Sequence, residues 1–300
     1  MPLTWDDPRL TTPDDHLVTA LASGGHIRLA ACRSRTVVRE AQRLHSLSPL
    51  STLALGRLLT GGLLFASSFK HEDDNLTLRL DCSGPLRSMT VIAEGDGSCR
   101  GEIAAPQLPS LVDAKGRLAV RAAVEGGRLT VIRDLGLRDP YVGTVPLVSG
   151  EIAQDLISYL YYSEQRPGVM FLSVDLDGDR VRDAAGLLLE ALPGADDALL
   201  AHIEERAAGF PEISYWLREG FTPAQLMDLL MGDPEIRLLE LREVAYRCRC
   251  SRDRMRRNLA ALGLDDREEL AADPKGIDLV CHFCNHSYHF TQEEMGGLLP

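Results

Sequence analysis

The chain has 300 residues, 45% of them hydrophobic and 25% charged, with a formal net charge of −12. That balance predicts a soluble protein of two units with a sizeable core, and it argues against general nucleic-acid binding, which needs a basic field. The opening stretch MPLTWDDPRLTTPDDH has no basic segment followed by an apolar one, and no run of about 18 apolar residues is evident. Neither a secretory signal nor a membrane span is therefore expected, and a cytoplasmic location is.

Residues 25–33 alternate with Ile27, Leu29 and Ala31 on one face and read as a strand, and Val37, Ala41 and Leu44 follow at helical spacing. Ser48 and Pro49 have the character of an N-cap and a first helical residue. The helix they open should run to about Phe69, apolar nearly all round and hence buried. Leu76, Leu78 and Leu80 mark a strand, and SMTVIAE, Gly95-Asp96-Gly97 and CRGEIAA read as strand, turn, strand. RLAVRAAVEGGRLTVIRDL predicts another hairpin, around Gly126-Gly127. Ser149 is the expected cap of a helix that turns Ile152, Leu156, Tyr159 and Leu160 inward. A hairpin at Asp177-Gly178-Asp179 follows, and Pro193-Gly194 ends the first domain. Hairpins with flanking helices make this an α+β domain with antiparallel sheets.

Residues 195–241 read as helices separated by Gly209-Phe210-Pro211, Gly220 and Gly232-Asp233-Pro234, a subdomain packed on the first. In the last unit Ser251 caps a helix that ends at Gly263, a short helix spans 265–272, and IDLVCHFCNHSYHF reads as strand, turn, strand.

Four of the seven cysteines form two close pairs in that last unit, Cys248-x-Cys250 and Cys281-x-x-Cys284. Four thiolates make a closed tetrahedral zinc site with no open position for a substrate, so a structural ion is expected and catalytic zinc is not. A thioredoxin-type disulfide would want a helix after the Cys-x-x-Cys, where strands are predicted instead. A plain zinc ribbon remains a reading. Against it stands the Cys-x-Cys pair: its Cα atoms are about 7 Å apart when extended, and a modest bend brings them within the roughly 4.4–6.8 Å that a disulfide spans. Zinc binding in small modules is worth roughly 10–16 kcal/mol of folding energy, as much as the whole stability of about 5–15 kcal/mol of a typical domain. A module this short should unfold when its thiolates are oxidised and the ion is lost.

Arginines 247, 249, 252, 254, 256 and 257 crowd the first pair. They read as cations that stabilise thiolates, as a solvated helix face, or as phosphate contacts. His282, His286 and His289 flank the second pair as possible substitute ligands. Cys32, Cys82 and Cys99 lie on predicted strands and read as buried small hydrophobes. No phosphate-binding loop, nucleophile elbow or H-E-x-x-H occurs, and no catalytic set is found.

The segments CRCSRDRM and IDLVCHFCNHSYHF, with SLSPLSTLALGRLLTGGLL, SGPLRSMTVIAEGDGSCRGEI, GTVPLVSGEIAQDLISYLYYSEQ and AAGLLLEALPGA upstream, give the chain a further identity. It resembles the redox-regulated 33 kDa heat-shock chaperones over nearly its whole length. The resemblance implies an N-terminal α+β chaperone core over 1–194, a metastable helical linker over 195–244 in place of the packed subdomain, and a C-terminal zinc-binding redox switch over 245–300. It implies one zinc per chain, held in the reduced state by Cys248, Cys250, Cys281 and Cys284 in an inactive monomer. On oxidation, disulfides form within each pair, zinc leaves, the C-terminal unit unfolds and the linker loses order. The exposed surface then holds unfolding client proteins without ATP, and the active form dimerises. The implied protein is no enzyme and has no nucleic-acid or membrane partner. One departure is Asp81-Cys82-Ser83-Gly84, where many members have a glycine-rich turn without cysteine, so that Cys82 and Cys99 become further candidates for oxidation. A zinc-ribbon RNA- or ribosome-binding protein is the alternative, and a thiol oxidoreductase the third class.

Overall fold

Residues Pro49–Ala66 carry leucine, alanine and glycine around the whole circumference of one helix, and such a helix needs a partner on every side. The computed structural model, which describes residues 3–12, 14–233 and 235–299, supplies them. Met1, Pro2 and Pro13 of the opening stretch and Pro234 of the third helix break lie outside the described residues. The chain divides into two units, Met1–Tyr246 and Arg247–Pro300.

In the larger unit β1 (His16–Ala22) and β2 (Ile27–Arg33) lead into α1 (Arg35–His45) and α2 (Pro49–Ala66). Next come β3 (Asn75–Cys82), β4 (Ser88–Glu94), β5 (Ser98–Ile103), α3 (Val120–Val124), β6 (Gly127–Asp134) and β7 (Tyr141–Pro146). α4 (Ala153–Glu164) precedes the long hairpin of β8 (Gly168–Asp177) and β9 (Arg180–Ala191). The remainder is α5 (Asp197–Ala208), α6 (Ile213–Arg218), α7 (Pro223–Met231), β10 (Arg237–Glu243) and β11 (Ala245–Tyr246).

Two sheets result, ordered β10-β1-β2-β9-β8 and β11-β5-β4-β3-β6-β7. Both are antiparallel except where β11 runs parallel to β5. α2 packs on β2, β8 and β9 of the first sheet and on β3, β4 and β5 of the second. Its approach depends on missing side chains. A Cβ on Gly186 of β9 would stand 2.8 Å from both Leu64 Cδ1 and Thr60 Cγ2, and one on Gly62 would stand 3.0 Å from Val91 of β4. This helix has the length and apolarity of a membrane span, with a mean hydropathy of 1.3 over 18 residues, contrary to the expectation that no such stretch exists. It is 89% buried inside the protein, where it serves as the core of both sheets.

The first sheet is covered on its other face too. Val18, Ala20, Leu29, Ala31, Leu187 and Leu189 meet Ile203, Ile213, Leu217, Met227 and Leu230 of α5, α6 and α7. Residues 197–231 are thus packed helices here, and Pro193-Gly194 is the turn from β9 into α5 within the larger unit. The expected cap at Ser48 forms by accepting from Ser51 N, and Thr222, not read from the sequence, caps α7 by accepting from Gln225 N with the reciprocal bond from Thr222 N to Gln225.

Three local expectations are corrected. The hairpin at Gly126-Gly127 does not form, because Val120, Ala123 and Val124 are buried at helical spacing in α3 and the second strand alone survives as β6. Ser149 does not cap α4. The buried Asp155 carboxylate, inside the first turn, accepts from the backbone N–H groups of Val148, Ser149 and Ile152 at 2.8, 2.9 and 3.1 Å. Residues 237–243, read as helix, are β10, paired antiparallel along β1. Leucine, glutamate and arginine favour a helix, but the open edge of β1 outweighs that weak preference.

In the smaller unit α8 (Arg252–Ala260) and α9 (Leu264–Ala271) precede β12 (Ile277–Val280), β13 (Ser287–Phe290) and α10 (Gln292–Gly296). Ser251 Oγ accepts from Arg254 N at 3.2 Å and caps α8 as expected. The buried apolar residues of this unit are Met255, Leu259, Cys281, Phe290 and Met295.

Gly186→Val should overfill the contact between α2 and β9 and lower stability by about 1–3 kcal/mol. Urea unfolding followed by far-UV circular dichroism would show it as a lower midpoint at unchanged slope.

Candidate metal centre

The smaller unit draws its four cysteines from two elements. Cys248 and Cys250 stand on the extended segment just before the Ser251 cap of α8. Cys281 and Cys284 stand in the turn between β12 and β13, whose register runs from Ile277 opposite Phe290 to Val280 opposite Ser287. The turn is closed by Cys281 N donating to His286 O at 2.9 Å, and by Asn285 N and Cys284 N donating to Cys281 O at 2.7 and 3.3 Å. Asn285 takes φ +55°, a left-handed conformation that asparagine tolerates better than most residues.

This brings all four Sγ atoms within 4.8 Å of one another. The shortest approaches cross between the pairs, Cys248 to Cys281 at 3.5 Å and Cys250 to Cys284 at 3.4 Å. Four sulfurs on one zinc at about 2.3 Å would form a tetrahedron with edges of about 3.8 Å, so the donor set and its spacing fit such an ion. Each residue carries a free thiol. Cys248, Cys250 and Cys284 are half-buried and Cys281 is 5% exposed.

Without a cation the four sulfurs perturb each other's titration. Burial pushes the Cys248 thiol well above its ordinary range, and it pushes Cys284 to about 11. Burial also raises Cys250, but hydrogen bonds from the Tyr288 hydroxyl and from the other sulfurs outweigh it and leave this thiol below its ordinary value. Tyr288 itself is pushed to about 12 by its bond to Cys250. Four thiols gathered with such conflicting demands are a site that a divalent cation would relieve, since it favours the thiolate at every position.

The flanking histidines stand outside the cluster. His289 Nδ1 is 3.0 Å from Asp278 Oδ1, His286 meets the Tyr288 ring edge-on at 4.6 Å, and His282 is exposed. Of the arginines, Arg252 donates to both oxygens of Glu294 at 2.7 and 2.8 Å and lies 4.5 Å over the Phe290 ring, while Arg254, Arg256 and Arg257 are exposed on α8. Two functional features were not read from the sequence. One is α10, which supplies Glu294. The other is the Tyr288 hydroxyl, which donates to Cys250 Sγ at 3.1 Å. Only the packing of β13 beside the segment before α8 reveals the second, although an aromatic four residues after a cysteine pair is a signal that could have raised it.

The three remaining cysteines lie on strands as expected. Cys32 on β2 and Cys99 on β5 are fully buried, and burial raises both thiols far out of the range in which they ionise. Cys82, at the end of β3, is half-buried and pushed by burial to about 11.

The model of the family described as Hsp33 protein matches residues 15–291. A 33 kDa chaperonin of Ruminiclostridium cellulolyticum is 36% identical over 285 residues, covering 95% of this chain and 98% of that one. One from Enterococcus faecalis is 39% identical over 284 residues, covering 94% and 95%. The crystal structure of the 33 kDa chaperonin (Hsp33) from Thermotoga maritima superimposes with a TM-score of 0.88 at 32% identity, over 95% of this chain and 97% of that one.

In metal-stripped, reduced protein Cys250, the cluster thiol held below its ordinary value, should be alkylated first. Cys82 should lag, because a thiol at about 11 is ionised on the order of one part in ten thousand at pH 7. Cys32 and Cys99 should react only in denaturant. Residue-resolved mass spectrometry over time checks the order, and early labelling of Cys99 would contradict the packing described.

Proposed function

The chain belongs to the Hsp33 family of chaperones, and on that premise we propose that it is a redox-regulated holdase whose inactive form is held by one zinc ion on Cys248, Cys250, Cys281 and Cys284. The observation that carries the reading is the pairing of four converging sulfurs with a unit that buries so few apolar residues of its own. Such a unit needs the ion to stay folded. When bound, the ion supplies cohesion and keeps four thiolates deprotonated, and no open position is left for catalysis. The protein is accordingly read as a binder of unfolding chains and not as an enzyme, acting in the cytoplasm, where thiols are kept reduced.

Activation is written as two disulfides, Cys248 with Cys250 and Cys281 with Cys284. Each consumes one hydrogen peroxide: two thiolates give up two electrons, the O–O bond breaks, two protons are taken from solvent, and two waters leave. Disulfide sulfurs are poor donors for the ion, so the unit loses its clasp and unfolds. The segment 195–244 leads straight into Cys248, and its order is lost next in this scheme. What supports that step is the character of α5, α6 and α7, short helices broken at Gly209, Gly220 and Gly232. Lifting them would bare the apolar face of Val18, Leu29, Leu187 and Leu189, a surface fit for clients or for a second copy. We read the reduced form as a monomer and the oxidised form as a dimer.

Both tryptophans report on this segment. Trp216 lies in it, stacked edge-on with Phe221 at 4.9 Å, and Trp5 Nε1 donates to Ile236 O at 3.2 Å. Peroxide should therefore release one zinc per chain, shift tryptophan emission to the red, and turn on suppression of aggregation of a heated client, in that order. Cys248→Ser and Cys281→Ser should weaken zinc retention by at least tenfold and raise protection before any oxidant is added. Zinc release with no gain of client protection would refute the holdase reading.

A further inference from the structure

Resting on the redox reading above, we propose that Tyr288 is a positioning residue that restrains peroxide attack on Cys250 by donating its hydroxyl hydrogen to that sulfur, and so sets the oxidant level at which the switch opens. The contact is 3.1 Å long and comes from outside the cysteine pairs. It is built rather than incidental. Tyr288 stands on β13 directly opposite Leu279, and its ring is held edge-on by His286 at an interplanar angle of 70°. The ring is part of the apolar cluster beneath the site, with Phe290 and Met255. A tyrosine restrained on both sides presents its hydroxyl to one sulfur, while Cys250 keeps its 3.4 Å approach to Cys284.

The chemistry follows from which quantity is free to vary. With the ion in place all four sulfurs are already thiolates, so the fraction ionised no longer governs their reactivity and intrinsic nucleophilicity does. A hydrogen bond to a thiolate draws charge from the sulfur and makes it a weaker nucleophile. In the step concerned, the Cys250 sulfur attacks one peroxide oxygen, the O–O bond breaks, and the departing hydroxide takes a proton to become water. The sulfenic acid left on Cys250 is displaced by a neighbouring thiolate, forming the S–S bond and, with a second proton, a second water. Hydrogen peroxide is the oxidant, and two electrons pass per disulfide. A tenfold to hundredfold change in sulfur basicity, at a Brønsted slope of about 0.4–0.5, becomes roughly a three- to tenfold change in attack rate.

The test uses the full reduced, zinc-loaded chain and its Tyr288→Phe variant, which keeps the ring and removes the donor. Three rates are followed: zinc release driven by hydrogen peroxide, zinc release to a chelator without oxidant, and alkylation of each cysteine by iodoacetamide. The expected result is peroxide-driven release roughly three- to tenfold faster in the variant, a matching gain at Cys250 relative to Cys284, and unchanged release to the chelator alone. A tyrosine that merely braced the module would give a different pattern, with chelator-driven release and all four alkylation rates rising together, and that pattern overturns the proposal. So does a variant whose peroxide rate equals or falls below that of the natural chain. Failure of the natural chain itself to release zinc to peroxide would overturn the redox reading beneath it, an outcome separable from equal rates in two responsive proteins.

Discussion

Four sulfurs and a scant apolar core are the constraint from which the behaviour of the smaller unit follows. Met255, Leu259, Phe290 and Met295 are buried together with Cys281, itself one of the four. One of the few buried side chains is therefore also a member of the sulfur cluster, so the packing of this unit and the arrangement of its sulfurs are not independent. Elsewhere a chain is held by many weak contacts, none of which is decisive; on the reading proposed above, cohesion here would be concentrated in four sulfurs whose chemistry a small oxidant can alter. Hydrophobic burial has no such handle, because a mild oxidant does not remove a leucine's apolarity.

The larger unit is built the opposite way. α2 lies between two sheets with its leucines on every side, and glycines at Gly62 and Gly186 let it sit close to each. The three cysteines there are either fully buried or shifted far toward the thiol. The two units therefore differ in where their sulfurs lie, four gathered in the smaller and three set singly on strands of the larger. Burial holds Cys99 and, less strongly, half-buried Cys82 toward the thiol, the weaker nucleophile.

Much of this was legible in the sequence where a single local rule decides the outcome. Ser48-Pro49 opened α2, the leucine alternation marked β3, Gly178 turned the β8–β9 hairpin, and the spacing of Cys248, Cys250, Cys281 and Cys284 gave the donor set. Legibility failed where distant partners decide. Alternation around Val120 looked like a strand until burial at helical spacing chose α3, and Arg237–Glu243 has helical residues but serves the unfilled edge of β1. Asp155 displaced Ser149 as the cap because a carboxylate can take three N–H groups at once. The hydroxyl of Tyr288 reaches Cys250 across 37 intervening positions, a relation that only the folding of the hairpin against the segment before α8 creates.

The first sheet has two apolar clusters, one on each face, which share strands but not side chains. Were the helices removed from one face, the leucines of α2 would still pack against the other, and β1, β2, β9 and β8 would keep that support. Recovery after such an excursion is then a matter of short helices finding a surface that is already shaped for them, with no topology to search again.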